Sequence, residues 1–212
     1  MAVMITGGAR SGKSDFAERY AMQMADSGIY IATSQSWDDE MTQRITQHQR
    51  SREAADFRWQ TIEEPLELAP VLLRLEKDAA ERGPDWRRPA VLVDCLTLWL
   101  TNWMLRLDAA GQNASAADAA DEGDYGGLMP PDTIEAVVDK LLSGIAAYSG
   151  PLLLVTNEVG SGIVPAYPLG RRFRDEAGRL NRRLAAQCDQ AFLVVAGFAL
   201  DLKAHAFRLE ER

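Results

Sequence analysis

The sequence predicts an α/β protein with three layers, a mostly parallel central sheet covered by helices on both faces. Two patterns carry that expectation. Short apolar runs of strand length alternate with stretches of helical periodicity, and strands that alternate with helices pair in parallel. The runs are also continuously apolar, as strands buried on both faces are. A third observation fixes the kind of α/β protein: a glycine-rich loop stands between the first strand and the first helix.

The elements follow in order. Val3–Thr6 reads as a strand and Lys13–Ala25 as a helix, with Ala17, Tyr20, Ala21 and Met24 at helical spacing. Ile29–Thr33 is the second strand. Asp38–Arg52 reads as a helix and Phe57–Thr61 as a short strand. Thr61-Ile62-Glu63-Glu64, ahead of Pro65, has the pattern of a capping box opening the next helix. Val91–Asp94 is a strand of buried type, followed by an apolar helix through Leu107. Leu152–Thr156 and Phe192–Ala196 are further strands, with a basic helix between them. Asp108–Gly127 carries five acids and no base, and reads as a mobile surface insertion within a single domain spanning 1–212.

Composition narrows the function. The chain has 212 residues, 47% of them apolar and 25% charged, enough for a sizeable core without metal or disulfide support. Its 23 basic and 31 acidic residues give a formal charge of −8, which argues against a nucleic-acid partner. The longest apolar stretch, Ala90–Leu107, is broken by Asp94, Asn102 and Arg106, so stable membrane insertion is not expected. The chain starts MAVMITGG with no export signal, and the cytoplasm is the expected compartment. Cys95 and Cys188 read as small buried residues.

Gly7-Gly8-Ala9-Arg10-Ser11-Gly12-Lys13-Ser14 satisfies the phosphate-loop pattern G-x-x-x-x-G-K-[ST] after a strand and before a helix. Glycines let successive N–H groups turn inward around phosphate oxygens, and the helix N-terminus favours anions. Lys13 is placed to reach β- and γ-phosphates, and Ser14 to ligate Mg²⁺. This makes the fold P-loop NTPase-like. Asp94 and Glu158 follow strands, where acids line the ligand crevice of a parallel sheet. Each can serve a metal or nucleotide there, or be a plain loop acid. Glu63 is explained equally well by a first helical turn.

His48 lies four residues from both Arg44 and Arg52, on one face of the expected helix. Two neighbouring cations disfavour imidazolium and attract phosphate, which suits nucleophilic attack on an α-phosphate. Spacing alone favours the plainer reading, a half-buried histidine beside solvated arginines. Arg171, Arg172, Arg174, Arg179, Arg182 and Arg183 crowd thirteen residues. Asp175 and Glu176 stand at i,i+4 spacing to several of them, and Ile163-Val164-Pro165 ahead of them reads as a loop near the crevice.

Taken together, ITGGARSGKS, YIATSQ, DDEMTQRITQHQ, VDCLTLWLTN, VTNEVGSGIVP and FRDEAGRLNRRLA resemble a known family over nearly the full length. It is that of the bifunctional adenosylcobinamide kinase/adenosylcobinamide-phosphate guanylyltransferases of cobalamin biosynthesis. The resemblance implies phosphorylation of adenosylcobinamide by a nucleoside triphosphate, ATP or GTP. It then implies transfer of GMP from GTP through a guanylyl-histidine to give adenosylcobinamide-GDP, with Mg²⁺ as cofactor. The family's guanylylated histidine falls on His48, and its phosphate loop on Gly7–Ser14. Further nucleotide contacts fall on Ala32, Thr33 and Ser34, on Gln49, Arg50, Ser51 and Arg52, and on Glu63 and Asp94. The resemblance also implies a homotrimer. A P-loop small-molecule kinase without a covalent intermediate is the alternative enzyme, and a nucleotide-dependent switch the non-enzymatic one.

Overall fold

The computed structural model describes residues 1–34, 57–83, 86–113 and 133–207. The expected helix over 38–52, with His48, lies outside them, as does most of the expected insertion. The chain runs β1 (Ala2–Gly7), α1 (Lys13–Met24), β2 (Ser27–Ala32), β3 (Arg58–Glu63), α2 (Leu68–Arg82), β4 (Ala90–Asp94) and α3 (Leu96–Asn113). It continues with α4 (Ile134–Ala147), β5 (Leu152–Val155), α5 (Pro168–Gln187), β6 (Gln190–Val195) and β7 (Phe198–Asp201).

The strands form one seven-stranded sheet in the order β3-β2-β4-β5-β1-β6-β7. All described pairings are parallel except β6 with β7. β1 sits between β5 and β6, with β2 to β4 beyond β5, so the strand order reverses direction at β1. Ligands of open parallel sheets bind at such a reversal, outside the carboxyl ends of the strands.

Alternation along each central strand feeds two cores. Val3, Ile5, Tyr30, Leu92, Leu153 and Val155 face α1, where Ala17 and Ala21 allow close approach. Phe16 and Tyr20 stack at 5.7 Å and meet Phe192 edge-on, closing that layer over β6. Met4, Ile29, Ile31, Val91, Val93, Leu152 and Leu154 face the opposite layer of α2 to α5. Trp99 and Trp103 are the largest buried side chains there, and both indole N–H groups donate to the Leu66 carbonyl, at 2.7 and 3.0 Å. Cys95 and Cys188 are buried and unpaired, as expected of small core residues. No helix among the described residues is long and apolar enough to cross a membrane.

Several boundaries correct the sequence expectations. Thr61–Glu63 does not open a capping box, because β3 continues through Glu63, paired in register with Tyr30 to Ala32. The helix begins at Leu68, and Glu64 instead accepts the N–H groups of Leu66 and Glu67 at 2.9 and 2.8 Å. Glu64 thus shapes the turn before the helix, whose own N-terminus has no side-chain cap among the described residues. α3 runs on to Asn113, so the helix takes in Asp108. α4 and β7 are elements that the sequence reading does not include. α4 has a good start signal: Thr133 caps it, accepting from Ala136 N–H at 3.1 Å. β7 is reached through Ala196 and Gly197, both at positive φ, 51° and 84°, as a two-residue hairpin turn requires.

One ion pair ties the amino side of the sheet together. Arg88 donates twice to Glu76 of α2, at 2.6 and 3.2 Å, and Ser149 adds its N–H at 3.0 Å. These bonds lower the Glu76 carboxyl from 4.5 to about 2, the Arg88 hydrogen bond first, with burial opposing and Ser149 assisting. Because the folded value is depressed, the stabilisation is complete above about pH 4.5 and is lost as pH falls toward 2. The pair is partly exposed, so its contribution is about 1 kcal/mol after solvent screening. Glu76→Gln should therefore be less stable than wild type near neutral pH, by urea unfolding. The gap should narrow steadily below pH 4.5; a gap that stays constant down to pH 3 contradicts the assignment.

Candidate active site

The first site element is the loop between β1 and α1. Two residues in the left-handed region, Arg10 at φ 57° and Gly12 at φ 90°, turn the backbone back over itself before α1 begins. Successive N–H groups bent in this way make an anion-binding concavity. α1 starts at Lys13, and no side chain among the described residues caps its N-terminus, so its first N–H groups are left open to a ligand. Lys13 is nearly buried and its ammonium donates to the Gly8 carbonyl at 3.1 Å. Among the described residues the buried Ser11 hydroxyl has no hydrogen-bond partner, which leaves an orphan donor beside the cradle.

The loop is buttressed from outside. Gly197 N–H, in the β6–β7 turn, donates to the Ser11 carbonyl at 2.9 Å. A Cβ on Gly7 would stand 2.4 Å from the Val194 carbonyl oxygen and 2.7 Å from Ser11 Oγ. Gly7→Ala must therefore push β1 from β6 or distort the loop. It should cost about 1–3 kcal/mol in urea unfolding and weaken nucleotide binding in the same variant. Wild-type stability with wild-type affinity would show that the loop tolerates the shift.

The remaining described candidates sit in a row at the same carboxyl edge of the sheet, with β5 between that row and β1. Ala32 of β2 pairs with Glu63 of β3 on one side and with Asp94 of β4 on the other. Three adjacent carboxyl ends thus present Glu63, Ala32 and Asp94 at one level, with Asp94 also paired to Val155 of β5. Thr33 and Ser34 continue from Ala32. Ser14 stands in the first turn of α1. Every described residue expected at the nucleotide, Gly7–Ser14, Ala32–Ser34, Glu63 and Asp94, lies at this carboxyl edge. His48, Gln49, Arg50, Ser51 and Arg52 lie outside the described residues.

A buried polar hub, not foreseen from the sequence, fixes this row. Thr33 Oγ1 donates to the Cys95 carbonyl at 2.7 Å and accepts Cys95 N–H at 2.8 Å. Asn102 of α3 donates to the carbonyls of Thr33 and Pro65, at 2.9 and 3.0 Å, holding the ends of β2 and β3 at a set spacing. Beside it, Thr97 receives both N–H groups of Asn157, and Asn181 of α5 links Thr156 to the Asn157 carbonyl. A satisfied buried network of this kind rigidifies the backbone that it joins. The Cys95 thiol within it is pushed up to about 11 by burial, with Asp94 adding to the rise and Lys13 opposing it. It stays protonated at neutral pH and is no nucleophile.

Two further expectations are refined. Glu158 follows β5, but its carboxylate accepts the N–H groups of Gly160 and Ser161 at 2.6 and 3.2 Å, the contacts of a loop-shaping acid. Arg179 pairs with Glu176 along the helix, at 2.6 Å, but four other arginines of α5 reach farther than i,i+4. Arg171 and Arg174 bond loop carbonyls, Arg172 bonds Asp108, and Arg183 bonds Asp139.

A glycine-rich cradle with a lysine, closing the central strand of a parallel sheet at its topological reversal, defines a P-loop nucleotide-binding protein. Residues 3–202 match the family described as cobinamide kinase / cobinamide phosphate guanyltransferase. The chain belongs to this family. It is 39% identical over 200 residues to the bifunctional adenosylcobalamin biosynthesis protein CobP of Pseudomonas aeruginosa, covering 94% of this chain and 96% of that protein. It is 38% identical to the corresponding CobU proteins of Salmonella typhimurium and Escherichia coli, over 96% of this chain and the whole of each.

Proposed function

We propose that this chain is a bifunctional enzyme that phosphorylates adenosylcobinamide and then guanylylates the product to adenosylcobinamide-GDP. The observation that carries the reading is the Lys13 cradle on the same sheet edge as the Glu63–Ala32–Asp94 row, within a chain matched to the family almost end to end. A single domain serves both steps.

In the first step the hydroxyl of the aminopropanol arm attacks the γ-phosphorus of ATP or GTP, and the nucleoside diphosphate leaves. Lys13 and the loop N–H groups offset charge on the transferred phosphoryl oxygens. In the second step a neutral ring nitrogen of His48 attacks the α-phosphorus of GTP, and pyrophosphate leaves. A phosphate oxygen of adenosylcobinamide phosphate then attacks the same phosphorus and His48 departs, so two in-line displacements retain configuration there. Arg44 and Arg52, four residues either side of His48 in the sequence, supply positive charge that attracts the nucleotide. Gln49, Arg50 and Ser51 supply further contacts, while Ala32, Thr33, Ser34, Glu63 and Asp94 position the nucleotide from the strand ends.

Mg²⁺ binds through one or two protein oxygens and otherwise through phosphates and water, so the Ser14 hydroxyl, in the first turn of α1, is a fitting donor that would hold it. Such an ion, when bound, would supply positive charge that offsets the charge of the nucleotide phosphates. The family resemblance extends the proposal to a homotrimer in the cytoplasm. The exposed apolar side chains Val195, Phe198 and Leu200 offer a surface to a neighbour. The reading is tested by incubating the purified chain with adenosylcobinamide, ATP and GTP and identifying the products by mass. Adenosylcobinamide phosphate should form first and adenosylcobinamide-GDP second; an unchanged corrinoid in the presence of both nucleotides contradicts it.

A further inference from the structure

The acceptor must bring its hydroxyl or phosphate oxygen within bonding distance of a phosphorus held near Lys13, so its binding surface has to border the carboxyl edge of the sheet. Most described connections leaving that edge are short. β3 passes to α2 through 64–67, β4 enters α3 through Cys95, and β6 turns into β7 at Ala196 and Gly197. The connection from β5 to α5, residues 156–167, is longer and starts against the phosphate loop. Glu158 N–H donates to the Gly7 carbonyl at 3.1 Å.

This connection has an uncommon surface. Val159–Leu169 holds no charged side chain. Ile163, Val164, Tyr167 and Leu169 are all exposed, Ile163 at 97%. A single exposed apolar residue needs no explanation, but four within seven positions mark an interaction site. The loop is also held in shape. Glu158 fixes the N–H groups of Gly160 and Ser161. Arg174 holds the Gly160 carbonyl with two donors, at 3.2 and 2.7 Å. Arg171 holds the carbonyls of Pro165 and Ala166, at 3.1 and 2.6 Å. The first turns of α5 thus clamp both ends of an apolar tip, and a preformed surface spares its ligand the cost of ordering it.

We infer that Ile163, Val164 and Tyr167 form the docking surface for the corrinoid ring of the acceptor, an inference that rests on the functional reading above. The corrin ring is broad, with methyl groups and neutral amide side chains around its rim, so a wall of apolar side chains without charges on the edge that holds the phosphate cradle suits it. The loop that carries this wall is joined at its start to the phosphate loop by the Glu158–Gly7 bond. A second copy of this chain is the competing occupant. The anchorage on the phosphate loop favours the acceptor, because only the acceptor has to be held at a set distance from the transferred phosphorus.

Steady-state kinetics with adenosylcobinamide as the varied acceptor tests this in wild type, Ile163→Ser, Tyr167→Ser and Ile163→Leu. These side chains are exposed, so the serine variants should fold normally. Each serine variant should raise the KM for adenosylcobinamide about tenfold. The KM for the nucleotide and the sedimentation mass should not move, and Ile163→Leu should stay within about twofold of wild type. An unmoved acceptor KM overturns the inference, as does a drop in sedimentation mass without a change in that KM. A wild-type chain that never turns over adenosylcobinamide overturns the functional reading as well, which separates the two failures.

Discussion

Lys13→Ala should lose both phosphoryl and guanylyl transfer, each by about 10³-fold or more, on the scale of removing a preorganised charge from a phosphoryl-transfer site. Lys13 opens α1, and its ammonium lies against the Gly8 carbonyl inside the loop. From there it can turn to phosphate oxygens with little rearrangement. Alanine leaves the loop backbone unchanged and is the best helix former, so the fold should survive. Urea unfolding close to wild type, with both activities lost, is the expected pair of results. A variant that keeps either transfer within tenfold of wild type would show that this step does not use the phosphate loop.

His48→Asn should separate the two activities. Asparagine retains polarity and approximate size but has no nucleophilic ring nitrogen, so no covalent guanylyl intermediate can form. Guanylyl transfer to adenosylcobinamide phosphate should fall to background. Phosphorylation of adenosylcobinamide should persist within a few-fold, because the γ-phosphoryl group passes directly to the substrate hydroxyl. Measured side by side with ATP and with GTP, the two rates should therefore diverge by several orders of magnitude in this one variant. Equal loss of both would place His48 in nucleotide binding; equal retention would remove it from the chemistry.

The parts of the fold and site that are legible in the sequence are those built from consecutive residues. β1, the glycine loop and the start of α1 are one continuous signature, and the structure places it at the reversal of the sheet. The central strands are legible because burial on both faces makes them continuous apolar runs. β3 is half-exposed, so its end at Glu63 competes with a helix-start pattern, and pairing with β2 decides in favour of the strand. The Thr33–Cys95–Asn102 hub joins residues more than sixty positions apart. Threonine and asparagine in apolar helices or strand ends carry no local signal of such partners. The loop held by Arg171 and Arg174 is hidden for a related reason. Arginines near carboxylates at helical spacing suggest ion pairs along the helix, whereas these donate backward to carbonyls of the preceding loop. β7 is short and follows a turn whose Ala196 gives no warning of its positive φ.

The central claim is a covalent guanylyl-histidine formed by a P-loop protein, and labelling measures it most directly. The purified chain is incubated with Mg²⁺ and GTP labelled at the α-phosphorus, denatured, and counted for protein-bound label. Wild type should carry acid-labile, alkali-stable label that His48→Asn lacks, and adenosylcobinamide phosphate added before denaturation should discharge it. An unlabelled wild type with nucleotide binding intact, or equal label on both proteins, would contradict the claim.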